Sequence, residues 1–154
     1  MVLDTNDYKL DETKLHQITR TFLEQEYNVS FNKTEQNIWK GISYFGDILF
    51  CFPLNYYITN SPIASTFICR PSSKINFLSL DTIKQLGIHE TSSSFVVYIA
   101  GIKTVVYSSR FSPNNEDINI IGHDFLSSFD CNLILEYKDS QCYPHIAKLN
   151  NEKI

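Results

Sequence analysis

Apolar residues recur every three or four positions over residues 12–27, at Leu15, Ile18, Phe22 and Leu23. The intervening face carries Glu12, Lys14, Gln17, Arg20 and Glu24, so the spacing predicts an amphipathic helix with Asp11 as its N-cap. Such a helix has to dock its apolar stripe, either on the rest of the chain or on a partner. Residues 28–47, with the only tryptophan, Trp39, show weak patterning and read as a connector. The chain therefore divides into a helical extension and connector over 1–47, a β domain over 48–146, and a tail over 147–154.

From residue 48 the pattern turns to short apolar and alternating runs. Ile48–Phe52 is a strand that Pro53 is expected to end, and Asn60-Ser61-Pro62 is turn chemistry. Ser65–Cys69 and Ile75–Leu78 follow as strands. Ser79 is placed to cap a short helix with Leu80, Ile83 and Leu86 inward and Gly87 at its end. Phe95–Tyr107 reads as a hairpin about Ala100-Gly101. Ile118–Ile121 is a strand, Asp124 is expected to cap a last helix holding Phe125, Leu126 and Phe129, and Cys131–Tyr137 closes as a strand. Tyr143-Pro144-His145 reads as a loop. The expected fold is mainly β, a closed barrel with two short helices and an N-terminal amphipathic helix.

Composition narrows the function classes. The 154 residues suffice for one domain with a core, and 43% are hydrophobic. Thirteen Lys and Arg against seventeen Asp and Glu, with no basic run, argue against nucleic-acid binding, which depends on clustered cations. No apolar run reaches the roughly 18 residues of a membrane span, and no basic-then-apolar leader opens the chain, so a cytoplasmic protein is expected. The sequons at Asn28 and Asn32 then carry no meaning. Cys51, Cys69, Cys131 and Cys142 form no Cys-x-x-Cys pair and read as reduced thiols. His16, His89, His123 and His145 lie on different elements, so neither a metal nor another cofactor is expected. Ser72-Ser73-Lys74 could be a Ser–Lys pair, but neighbours in a turn rarely point together.

The order of these pieces carries a resemblance. Ile75-Asn76-Phe77-Leu78-Ser79 leading to Ile83-Lys84-Gln85-Leu86-Gly87, then Val97–Lys103, then Ile120-Ile121-Gly122-His123-Asp124-Phe125-Leu126, is similar to the retropepsin-like aspartic proteases over about residues 50–140. The resemblance implies that Gly122 and Asp124 are scaffold, and that the catalytic Asp-Thr/Ser-Gly triplet falls on Arg70-Pro71-Ser72. Active members are homodimers whose two aspartates share a proton and activate water. Arg70 has no lone pair to accept a proton, Pro71 has neither hydroxyl nor N–H, and Ser72 replaces glycine. The family's substrate-covering flap would lie between Gly87 and Phe95, where seven residues are too few for a useful hairpin.

The expectation is a catalytically inactive module, retroelement-derived or a host protein, acting through a protein partner or a weak homodimer. Two Arg70 side chains about 4 Å apart at an effective dielectric near 20 would repel by of order 4 kcal/mol, unless an anion sits between them. The alternatives are an aspartic endopeptidase or other peptide hydrolase with residual or heterodimer-dependent activity, and an unrelated small β protein.

Overall fold

The computed structural model describes residues 12–27, 38–44, 46–57, 61–89, 93–113, 115–136 and 145–151. Among the described residues, nine strands and three helices follow in the order α1 (Glu12–Tyr27), β1 (Ile38–Tyr44), β2 (Asp47–Asn55), β3 (Ile63–Cys69), β4 (Asn76–Leu78), α2 (Leu80–Gln85), β5 (Ser94–Ile99), β6 (Ile102–Ser108), β7 (Ile120–Ile121), α3 (His123–Phe129), β8 (Asn132–Glu136) and β9 (His145–Asn150). A 3-10 turn at Ser109–Phe111 follows β6. Strand pairing runs β2–β3–β7–β4–β6–β5 and returns to β2, which closes a six-stranded barrel; β1, β9 and β8 extend it from β2. Most neighbours are antiparallel, but β3–β7 and β4–β6 are parallel.

The continuous apolar run in β2 exists because both of its faces are buried. Phe50, Phe52 and Leu54 point into the barrel with Phe67, Leu78, Val97, Ile99 and Val106. Phe52 is central there, with ring centroids 5.1 Å from Trp39, 5.9 Å from Phe67 and 5.6 Å from Phe125. Leu49 and Cys51, on the other face, join Ile42, Ile68, Phe77, Ile118 and Ile120 in a second cluster outside the barrel, which Leu15 of α1 completes. The amphipathic helix thus docks on its own chain, across β1, β2 and β3.

Several expectations are corrected. Pro53 does not end its strand: β2 runs on to Asn55, and at Pro53 it accepts from the Ala100 N–H (2.9 Å), a role that needs no donor. Residues 38–44 are a strand, not a connector, and 145–150 are a strand, not a loop and tail. The boundaries at 47 and 146 therefore cut through one sheet, because β1 pairs with both β2 and β9. Asp11 and Cys142 lie outside the described residues.

The hairpin β5–β6 turns where expected, with Ala100 (φ 51°) and Gly101 (φ 79°) both left-handed. Ser79 caps α2, its Oγ accepting from the Thr82 N–H at 3.1 Å, and Gly87 (φ 74°) follows the helix. At the end of α3 the left-handed position is held by Asp130 (φ 52°). Exchanging it for glycine removes the steric cost of a Cβ there. Asp130→Gly is expected to raise stability by about 0.5–1 kcal/mol in urea denaturation.

Candidate functional site

The turn that joins β3 to β4 lies against the N-terminus of α3. Arg70 C=O accepts from the Ser73 N–H (2.9 Å), so residues 70–73 form a hydrogen-bonded turn with Pro71 in the second position, where its fixed φ is suited. Pro71 and Ser72 are exposed at the tip. The rest of the turn is knitted to the segment after β7. Arg70 N–H donates to Ile121 C=O (2.9 Å), His123 N–H to Ser73 C=O (2.7 Å), and Asp124 N–H to Lys74 C=O (3.1 Å). Gly122 N–H donates to Asn76 Oδ1 at 2.8 Å. The sequence-derived positions Arg70, Pro71, Ser72, Gly122 and Asp124 therefore come together as two facing loops.

Their roles differ in detail from expectation. Gly122, not Asp124, occupies the N-cap of α3, and no side chain caps that helix. A side-chain cap is unnecessary, since the carbonyls of Ser73 and Lys74 already take two of the orphan N–H groups. Asp124 sits in the first turn, where its charge complements the helix dipole. Gly122 is needed for close approach and not for unusual backbone, because its φ is −117°. A Cβ there would lie 2.3 Å from Ser73 O and 2.7 Å from Ile75 O. His123 is exposed.

Arg70 decides the electrostatics. Its Nη1 donates to Glu116 Oε2 at 2.6 Å, and its Nη2 lies 3.9 Å from Asp47 Oδ1, with about a quarter of the side chain exposed. The anion that the sequence left open to an outside partner is thus supplied in cis by two carboxylates. Ser73 Oγ donates to Ile75 C=O (2.8 Å), so it is committed to the turn and not to Lys74.

Sequence reasoning missed the polar groups that hold the loops. Asn119 is buried; its Oδ1 accepts from Ser79 N–H (2.9 Å) and its Nδ2 donates to Thr66 C=O (3.2 Å). Asp117 Oδ1 accepts from Leu80 N–H (2.8 Å) and Ser109 Oγ–H (2.7 Å). Asn76 and Asn119 could have been noticed as amides within Ile-Asn-Phe-Leu and Ile-Asn-Ile-Ile, where a buried polar group has to find partners. Glu116 and Asp47 had no such signal.

Burial and the neighbouring Cys131 push the Cys69 thiol up to about 12, which keeps it protonated and unreactive near neutral pH. Cys131 is raised as well, chiefly by burial. Among the described residues, no three His, Cys, Asp or Glu side chains gather as metal ligands, and no helix is long and apolar enough to cross a membrane.

No family model matches the chain, and no curated protein does. Among solved structures it is similar to a retropepsin-like aspartic protease from Rickettsia conorii, at 14% identity and a TM-score of 0.46, over 75% of this chain and 93% of that one.

Proposed function

We propose that the chain is a retropepsin-like domain without proteolytic activity, serving in the cytoplasm as a protein-binding or structural module. The observation that carries this reading is Arg70, held by Glu116 and Asp47 at the position where the sequence resemblance expects a catalytic aspartate. A guanidinium in an ion pair can neither share a proton nor activate water. The eight residues 86–93 between α2 and β5 add support, being too few for a covering hairpin. Cys69, a free thiol in the core, fits a reducing compartment.

The test is peptide-library cleavage between pH 4 and 7, by the native chain beside an Arg70→Asp, Pro71→Thr, Ser72→Gly variant. The native chain is expected to be silent, and turnover by homogeneous native protein would overturn the proposal. The variant carries its own prediction. A carboxylate at position 70 faces Glu116 and Asp47 with no cation between them, so its folded-state pKa is raised. Stability from its protonated form is present at low pH and is lost as pH rises through that raised value. Relative to the native chain, the variant is expected to lose about 1–2 kcal/mol at pH 7 and less near pH 4, the figure being modest because the site is partly solvated. Adding Glu116→Gln should recover part of the loss in a denaturant series at both pH values.

A further inference from the structure

A polar cleft of about 500 Å³ lies between α1 and α2, with Ser65 of β3, Asp81 of α2 and Asp117 before β7 in its lining. Asp81 and Asp117 are exposed, whereas Ser65 keeps only 6% of its surface, so the carboxylates stand at the rim and the serine lies deeper. Each carboxylate has spent one oxygen. Asp81 Oδ2 accepts from Gln85 Nε2 (2.7 Å), and Asp117 Oδ1 accepts from the Leu80 N–H (2.8 Å) and the Ser109 hydroxyl (2.7 Å). Among the described residues nothing donates to Asp81 Oδ1 or Asp117 Oδ2, no Lys or Arg pairs with either residue, and the Ser65 hydroxyl has no hydrogen-bond partner. Of the lining side chains only His16 can carry positive charge, and its Nδ1 lies 2.5 Å from the Thr66 hydroxyl oxygen.

We propose that this cleft binds a guanidinium group, with the open oxygens of Asp81 and Asp117 taking its charge and the Ser65 hydroxyl accepting one of its N–H groups. A polar side chain as buried as Ser65 ordinarily has a partner. Water could supply one, but it would leave both carboxylates uncompensated. A guanidinium answers both needs: it carries five N–H donors in a rigid plane, has no acceptor, and stays charged at any working pH. Its flat fork can meet a carboxylate edge-on while other N–H groups remain for the hydroxyl.

Other cations fit less well. A divalent metal ion needs several ligands converging on one point, and among the described residues no three His, Cys, Asp or Glu side chains gather in that way. An ammonium is a compact, strongly hydrated charge with three donors, so it gives up more hydration on entering a cleft and has fewer N–H groups to share between a rim and a deeper hydroxyl. Carried on a partner's arginine, the guanidinium would make the cleft one contact of the protein-binding module proposed above. Its binding does not depend on whether the turn at Arg70 is catalytic, so peptide cleavage by the native chain would leave it standing.

Amide NMR titration of the full chain at pH 7 and low salt, with methylguanidinium and in parallel with N-acetyl-arginine amide, tests it. Saturable shifts are expected around Ser65, Asp81 and Asp117, and none with methylurea, a neutral molecule of similar shape. Ser65→Ala removes a hydroxyl that no described group of the protein bonds, which spares the fold, and is expected to weaken binding about tenfold. Asp81→Asn, at the exposed rim, should weaken it about threefold. Asp130→Asn makes the same charge change outside the cleft and should leave the affinity as it is, which separates the site from the general attraction of cations to a chain of net charge −4. Saturation by both probes would support an arginine side chain as the source, and saturation by methylguanidinium alone a small free guanidine. Shifts that grow linearly without saturating would overturn the proposal, as would an equal response to methylurea or unchanged affinity in both cleft variants.

Discussion

Gly122→Ala is expected to destabilise the domain by about 3–5 kcal/mol, although the new group is one methyl. The added Cβ would fall 2.3 Å from Ser73 O and 2.7 Å from Ile75 O, both backbone atoms that no rotamer change can remove. One loop has to retreat from the other. Retreat stretches three hydrogen bonds at once: Gly122 N–H to Asn76, His123 N–H to Ser73, and Asp124 N–H to Lys74. At about 1 kcal/mol each, with overpacking of about 1–3 kcal/mol added, the total far exceeds the few tenths that alanine returns by restricting the unfolded chain. Urea denaturation with an unchanged slope checks the figure. A loss below about 1 kcal/mol would mean that the turn at Arg70 slides freely, and that its contact with α3 is not what fixes it.

The parts of the fold that were legible in the sequence are those with one period and one face. The α1 stripe, the β5–β6 hairpin and the Ser79-capped helix each declare themselves within a dozen residues. The ends of the sheet do not. In β1, Trp39 joins the barrel interior while Ile42 joins the outer cluster, so both faces are partly apolar and no alternation stands out. Gly41 adds to the impression of a connector, yet it is there because a Cβ would meet Leu49 O at 2.3 Å and the Phe50 ring at 2.6 Å. Strand β9 buries only Ala147 and Leu149 of its apolar positions, too short a signal to rise above a tail. At the candidate site, the turn and its glycine were visible through local spacing. The ion pairs were not, since Arg70 meets Glu116 46 positions away and Asp47 on another strand. Charge complementarity across such separations is set by the barrel's closure, and no local pattern encodes it.

Asn119 offers the sharper probe of that closure. It ties β3 to the start of α2, bonding Thr66 C=O with one end of its amide and Ser79 N–H with the other. Asn119→Ala leaves both of these backbone groups without a partner at a site from which water is nearly excluded, at a cost of about 1–3 kcal/mol each. A total loss of about 3 kcal/mol is expected, with little dependence on pH. Asn119→Asp separates the two bonds. Its carboxylate can still accept from Ser79 N–H, but its second oxygen faces Thr66 C=O, where only a proton can restore a bond. The carboxyl group is therefore favoured in its neutral form, and its folded pKa rises above the unfolded value of about 4. The stability it contributes is full below the unfolded pKa and is lost as pH rises through the folded one. Denaturation from pH 4 to 7 should show the Asp variant close to the native chain at pH 4 and as damaged as the Ala variant at pH 7. A flat profile would mean that the Thr66 carbonyl does not depend on this donor, and that the link between β3 and α2 rests on the Ser79 bond alone.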